Sequence, residues 1–163
     1  MTIYIIDGID PGLVDTGAVR LTFDTELKKL HIESAVFTRL GEDMTQLTNW
    51  WREVIPYQTF IEAYRTRSSF GGDARMFALV TDIKRSLPRS KTIQNFGVKK
   101  VIKQPLMELL DLWKFDMKTN HQDLRSAARI ALLGMVKEDV LNKIVFDMIE
   151  ADKAGHPWKI ERK

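Results

Sequence analysis

The first forty residues of this 163-residue chain contain three strand-like segments in close succession. Segment 2–7 is almost continuously apolar, which is typical of a central strand covered on both faces. Segments 17–23 and 29–38 alternate apolar and polar residues, and turns at 8–15 and 24–26 separate the three. Strands joined by turns this short predict an antiparallel meander, so the chain must build its fold around a sheet.

The remaining segments alternate between the two kinds of element and end in helices. We predict a helix at 44–55, a strand at 57–64 that ends near Glu62, a helix at 74–87 with Asp73 as its N-cap, a strand at 90–96, and helices at 104–113, 121–135 and 138–151 with a hinge at Gly134. This order predicts an α/β domain with a mixed five-stranded sheet and helices on both faces. The domain should span 1–152, followed by a polar, basic and mobile tail at 153–163.

Composition excludes several classes of protein. The chain has no cysteine, so disulfides, thiolate catalysis and cysteine-bound zinc are ruled out. The longest apolar stretches, such as 130–136, are far shorter than the roughly 20 residues that a membrane-spanning helix needs. The first residues are strand-like and show neither a basic region nor a small-residue cleavage site, which argues against export. We therefore expect a cytoplasmic protein, in the cytoplasm of a bacterial host cell if its source is a virus.

Basic residues are concentrated in one part of the chain, although the net charge is only +3. Segment 83–107 has no Asp or Glu. It contains seven cations: Lys84, Arg85, Arg89, Lys91, Lys99, Lys100 and Lys103. Such a stretch in a near-neutral protein indicates an oriented anionic partner. The alternative is an ordinary solvated loop and helix end.

Acidic residues occur where strands end. Asp10 lies just after the first strand and before a Pro-Gly turn, which places a carboxylate at the edge of the sheet. The simpler interpretation is that such an Asp only caps the turn.

The run Gly-Ile-Asp-Pro-Gly at 8–12, followed by a second strand that starts near 16–19, resembles the opening of RuvC-type Holliday-junction resolvases, which have a ribonuclease H-like fold. The resemblance implies that Asp10 is a ligand of a catalytic metal ion and that Asp7 is structural. It also implies that Glu62, which closes an apolar strand some fifty residues later, is the second ligand.

The predicted helix at 121–135 resembles the late acidic helix of the same family, in which two ligands lie three residues apart on one face. The matching positions here are Asp123 and Ser126, where the family has Asp at the second. Three explanations stay open. In the first, Asp10, Glu62 and Asp123 form the metal site together with water or His121. In the second, an Asp at position 126 has been replaced by Ser. In the third, the register of the resemblance is shifted, and His121 and Asp123 are the functional pair.

The resemblance implies the rest of the function. Carboxylates from three segments would hold Mg²⁺ or Mn²⁺, with two ions about 4 Å apart in each active site. The partner would be four-way or other branched DNA, cut by a homodimer, and His121 would assist as a proton carrier or ligand. The candidate DNA contacts are Lys84, Arg85, Lys99, Lys100, Lys103, Tyr64 and Phe70. A bacteriophage source fits the divergence from the common bacterial pattern.

Three other interpretations of the same sequence are kept. Another ribonuclease H-like nuclease, directed at flaps or RNA–DNA hybrids, would have the same fold and metal site. The Asp-Pro-Gly turn also resembles the phosphate loop of actin-like ATPases and sugar kinases, although those proteins need two such domains. The third is a junction-binding protein that is inactive because of Ser126.

Overall fold

The structure is a computed structural model that describes residues 2–64, 73–115 and 121–163. Within these residues the strands are β1 (Ile3–Asp10), β2 (Asp15–Asp24), β3 (Lys29–Thr38), β4 (Gln58–Glu62), β5 (Ser90–Ile93) and β6 (Lys159–Arg162). The helices are α1 (Thr45–Arg52), α2 (Ala74–Ser86), α3 (Val98–Val101), α4 (Gln104–Leu109), α5 (His121–Val136) and α6 (Asp139–Lys153). None of the described helices is long and apolar enough to cross a membrane.

The six strands form one mixed sheet in the order β5-β4-β1-β2-β3-β6. β1, β2 and β3 pair in antiparallel fashion, which confirms the predicted meander. β4 lies parallel to β1 on its other side, and β5 lies parallel to β4. As a result, β1, β4 and β5 all end at the same edge of the sheet.

Helices cover both faces of this sheet, as predicted. On one face α5 and α6 pack on a large apolar cluster that includes Ile6, Val19 and Phe60. On the other face α1 and α2 pack on a smaller cluster around Ile9 and Ile61. Because alternate residues of a strand point to opposite faces, β1 contributes to both clusters. The mixed α/β architecture predicted from the sequence is confirmed.

Close approach of α5 to the sheet depends on two glycines. A Cβ atom built at Gly8 would lie 2.1 Å from the carbonyl oxygen of Ala127, and one at Gly17 would lie 2.7 Å from that of Asp123. Real Cβ atoms do not approach a backbone oxygen this closely, so both positions require glycine. The first two turns of α5 are therefore held directly over the end of β1 and the start of β2.

Several details of the prediction are wrong. The sheet has six strands rather than five, because β6 pairs with β3 in the segment predicted to be a mobile tail. Trp158 is buried just before β6 and anchors it. Gly134 is not a hinge: it lies inside α5, where a Cβ atom would lie 2.4 Å from the ring of Phe60.

A buried ion pair connects β1 and β2 on the face opposite α5. The carboxylate of Asp7 accepts hydrogen bonds from Nε and Nη2 of Arg20 at 2.8 and 2.9 Å. The Arg20 guanidinium also lies 4.1 Å above the ring of Trp50 and donates to its carbonyl oxygen. Asp7 therefore has a structural role, as the sequence predicted.

Candidate active site

The two carboxylates predicted at strand ends are neighbours in the structure. Asp10 is the last residue of β1 and Glu62 is the last residue of β4. These strands are parallel, with Ile9 opposite Ile61, so the next residue of each strand lies at the same edge. The side chains of Asp10 and Glu62 line the same cavity and are close enough for protonated Asp10 to donate a hydrogen bond to Glu62. Two carboxyl groups in this contact must share a proton or a cation.

The turn after Asp10 is fixed by the buried hydroxyl of Thr16. This hydroxyl accepts a hydrogen bond from the backbone N–H of Gly12 and donates one to its carbonyl oxygen, both at 3.2 Å. Asp10 itself lies opposite Gly17 in the β1–β2 ladder. The backbone on both sides of the Asp10 side chain is thus held in place.

Burial and negative charge act together on Asp10. The pKa of Asp10 is raised to about 9, first by burial, then by the hydrogen bond that protonated Asp10 donates to Glu62, and then by the negative charges of Glu62 and Asp123. Each cause penalises the ionised form of Asp10. Without a cation the group therefore holds a proton at neutral pH, and a divalent cation would take the place of that proton.

The acidic end of α5 lies over these strand ends, and its two matching positions differ in placement. Ser126 lines the same cavity as Asp10 and Glu62, whereas Asp123 does not line it. The backbone of Asp123 lies against Gly17 on β2, which β1 separates from the strand that carries Glu62. The neutral residue thus faces the two carboxylates, and the acidic residue lies on their flank.

Asp123 is still close enough to contribute charge. Burial and the neighbouring carboxylate of Asp15 raise the pKa of Asp123, and His121 opposes them. Its charge in turn reaches Asp10. Even so, the described residues include no group of three His, Asp or Glu side chains positioned to hold one metal ion.

The cavity is an open groove of about 1320 Å³ with an acidic floor and a basic rim. Asp10, Glu62 and Ser126 form part of its lining, and Lys99 and Lys100 of the short helix α3 line it on one side. Tyr64 lines it as well, with its ring packed edge-on against Phe77. A groove of this charge pattern suits a polyanion whose reacting group is brought to the carboxylates.

Asn95 and Phe96 line the groove but were not among the predicted site residues. Asn95 donates a side-chain hydrogen bond to Glu62, and Phe96 lines the groove with 84% of its side chain exposed. Both follow β5, which is parallel to β4 and pairs Ile93 with Glu62. A polar residue just beyond the end of a neighbouring parallel strand was the available signal.

The other predicted DNA contacts lie elsewhere. Lys84 and Arg85 are exposed in the last turn of α2 and do not line the groove. Lys103 is the exposed residue just before α4. Phe70 lies outside the described residues. The structure therefore brings only Lys99, Lys100 and Tyr64 of that predicted set to the carboxylates.

The donors in the groove suit a hard cation. Asp10 and Glu62 offer carboxylate oxygens, and the hydroxyl of Ser126 offers a neutral oxygen beside them. Mg²⁺ is commonly bound by one or two protein carboxylates together with water and substrate phosphates. This donor set fits one such ion, and it has fewer charged ligands than the two-ion arrangement expected from the sequence.

The fold is similar to that of several solved Holliday-junction resolvases. No protein-family model matches the sequence, and no curated protein matches it. Among solved structures, RuvC of Thermus thermophilus in complex with a Holliday-junction substrate is similar with a TM-score of 0.57 at 16% identity, over 79% of this chain and 90% of that one. The yeast mitochondrial Holliday-junction resolvase gives 0.56 at 15%, over 92% and 83%. The fowlpox virus resolvase with junction DNA gives 0.50 at 11%, over 82% and 97%.

These similarities define the class of fold. The chain has the ribonuclease H-like fold, in the form found in RuvC and other Holliday-junction resolvases. The predicted fold class is thereby confirmed, with one strand more than expected.

Proposed function

We propose that this protein is a structure-selective endonuclease that cuts four-way and related branched DNA with the help of a divalent cation. The observation that carries the proposal is the contact between Asp10 and Glu62 at the ends of two adjacent parallel strands. The fold shared with resolvases supports the substrate class.

The carboxylates provide the cation site in this proposal. Asp10 and Glu62 would bind Mg²⁺ or Mn²⁺, with the Ser126 hydroxyl beside them and Asp123 adding negative charge from the flank. A cation held by these residues would neutralise charge during attack on a phosphodiester. Asn95 holds Glu62 in position through its side-chain amide. A second ion remains a prediction, and so does the role of His121 as a metal ligand or proton carrier.

The basic side of the groove would bind the DNA backbone. Lys99 and Lys100 line the groove next to the carboxylates, so each would contact phosphate close to the cut. Phosphate contacts position a protein on nucleic acid without reading its sequence. This fits an enzyme that selects the shape of its substrate. Lys84, Arg85 and Lys103 would act, if at all, on arms of DNA farther away.

A junction with two strands to cut calls for two active sites related by a twofold axis, so we also propose a homodimer. Sedimentation of the full chain in the presence and absence of junction DNA tests this part separately.

One observation favours a second function. Ser126, rather than an acidic residue, faces Asp10 and Glu62 in the groove. A neutral hydroxyl is a weaker ligand for a hard cation than a carboxylate. A protein that binds junctions without cutting them would therefore have the same fold and the same groove.

Cleavage assays on matched substrates separate these functions. Four-way, three-way, flap and linear DNA and an RNA–DNA hybrid of the same sequence are incubated with Mg²⁺ or Mn²⁺, alongside the Asp10→Asn variant. The proposal predicts paired incisions in the four-way junction, little cutting of linear DNA, and no cutting by the variant. Tight junction binding without incision at any cation concentration would support the inactive protein, and preferential cutting of flaps or hybrids would support another nuclease.

A further inference from the structure

Arg129 is an unassigned cation beside the proposed active site. It lies on α5, three residues after Ser126, and therefore on the same face of that helix. It lines a small recess of about 80 Å³ together with Glu62, Asn95, Lys99 and Ser126. This recess shares four of these residues with the main groove.

The hydrogen-bonding of Arg129 is incomplete. Its Nε is buried and is the only buried side-chain nitrogen or oxygen without a hydrogen-bond partner among the described residues. No described carboxylate forms an ion pair with it, although Glu62 lines the same recess. A buried donor without a partner is unfavourable, so a ligand that supplies an acceptor is favoured.

The neighbouring Arg125 shows what a structural arginine looks like on the same helix. Its guanidinium stacks 3.8 Å above the ring of Trp113, and its Nε donates to the Trp113 carbonyl oxygen at 2.8 Å. Arg129 lies farther from that ring, at 5.3 Å, and makes no such hydrogen bond. Trp113 thus holds Arg125 by stacking and by a hydrogen bond at Nε. The Nε of Arg129 has no comparable partner among the described residues.

We propose that Arg129 binds a phosphodiester oxygen of the DNA strand at the Ser126 side of the active site. This inference rests on the proposed function and adds a specific phosphate-binding residue to it. A guanidinium is well suited to phosphate because it presents a planar fork of donors. Positive charge is needed at this position, since the strand being cut and the Asp10–Glu62 pair are both anionic. Because Nε has no partner in the described part of the chain, the guanidinium can turn toward the strand without giving up a described hydrogen bond at that atom.

The test compares four full-length proteins: wild type, Arg129→Gln, Arg129→Lys and the matched control Arg125→Gln. Binding to a four-way junction and to a linear duplex of the same sequence is measured without divalent cations, between about 50 and about 200 mM NaCl. For Arg129→Gln we expect affinity about tenfold lower, because a charge-assisted hydrogen bond is lost. We also expect a salt slope smaller by about one unit. Arg129→Lys should recover part of the affinity.

Arg125→Gln removes the same charge from the same helix, so it controls for net charge. It should lower the melting temperature through loss of the Trp113 contact while keeping wild-type affinity and salt slope. Equal binding by wild type and a folded Arg129→Gln would overturn the inference. If Arg129→Gln fails to fold, wild-type affinity in a folded Arg129→Lys, which lacks the fork of donors, would overturn it as well.

The same data distinguish this inference from the proposed function. If wild type shows no preference for the junction over the duplex, the proposed substrate is wrong. Arg129→Gln must then still weaken duplex binding and reduce the salt slope for the phosphate contact to stand.

Discussion

Asp10 and Glu62 close two adjacent parallel strands at the same edge of the sheet, close enough for protonated Asp10 to donate a hydrogen bond to Glu62. Two ionised carboxylates within hydrogen-bonding reach repel each other, so one of the two groups must be protonated in the metal-free protein. This relationship makes the pair sensitive both to pH and to divalent cations. It also gives the proposed function its most direct physical consequences.

The first consequence is a pH dependence of stability in the absence of metal. The pKa of Asp10 is raised in the folded protein from 3.8 to about 9, first by burial and then by Glu62. Between these values the folded chain binds a proton that the unfolded chain lacks, so its stability falls as pH rises. The slope cannot exceed about 1.4 kcal/mol per pH unit for one proton.

Urea unfolding in EDTA at a series of pH values across this range measures that slope. Asp10→Asn cannot ionise, so the variant should lose less stability than wild type as pH rises. An equal slope in both proteins would show that Asp10 ionises normally in the fold.

Ser126→Asp should strengthen cation binding. The new carboxylate would face the groove next to Asp10 and Glu62, where Ser126 now lies. A third charged ligand should raise the affinity for Mn²⁺ roughly tenfold and increase the rate of incision. Calorimetric titration and junction cleavage measure the two effects. Ser126→Asn is the control, because Asn has nearly the size of Asp but no charge. An unchanged or lower cleavage rate in Ser126→Asp would argue against matching position 126 to the family's second ligand on this helix.

Gly17→Ala should move the start of α5. An alanine Cβ at this position would lie 2.7 Å from the Asp123 carbonyl oxygen, so the helix must shift. Such overpacking costs about 1–3 kcal/mol of unfolding free energy, and Mn²⁺ binding should weaken with it. Gly41→Ala is the matched control, because a Cβ there has nothing within 4 Å. If the two variants are equally stable in urea, α5 does not need this close approach.

The Asp7–Arg20 pair should be important for stability as a unit. Both side chains are buried, with 0% and 2% exposure, so removal of either partner leaves a charge without compensation. Asp7→Asn should cost about 3–5 kcal/mol, while Asp7→Leu combined with Arg20→Met should cost less than the sum of the single changes. Lys153→Gln, from an exposed pair, should change stability by less than about 1 kcal/mol. Additive effects of the two buried replacements would contradict a coupled pair.

Much of the site could be predicted because strand ends are visible in the sequence. Asp10 and Glu62 each close an apolar run, and parallel strands bring such ends to one edge. The spacing of Asp123 and Ser126 by three residues also predicts that both lie on one face of α5, near Asp10 and Glu62. It could not show which of the two faces the groove, because that depends on how the helix rotates over Gly8 and Gly17.

The features that were missed depend on tertiary contacts. β6 has only four residues, most of them charged, so its sequence does not indicate a strand. It forms because it pairs with the edge strand β3 and because Trp158, just before it, packs against Phe23. Gly134 was interpreted as a hinge, since the sequence does not show that the Phe60 ring occupies the space next to it. Arg129 was overlooked for a similar reason: only the folded recess shows that its Nε has no partner among the described residues.

Calorimetric titration of the full chain with Mn²⁺ at neutral pH shows whether the strand ends hold a cation. We expect saturable binding, with proton release as the cation replaces the proton of the Asp10–Glu62 pair. We also expect Asp10→Asn and Glu62→Gln each to bind Mn²⁺ more weakly, by about tenfold or more. The stoichiometry counts the ions that each chain holds. Absence of saturable binding, or binding that is the same in wild type and the two variants, would contradict a cation site at these strand ends.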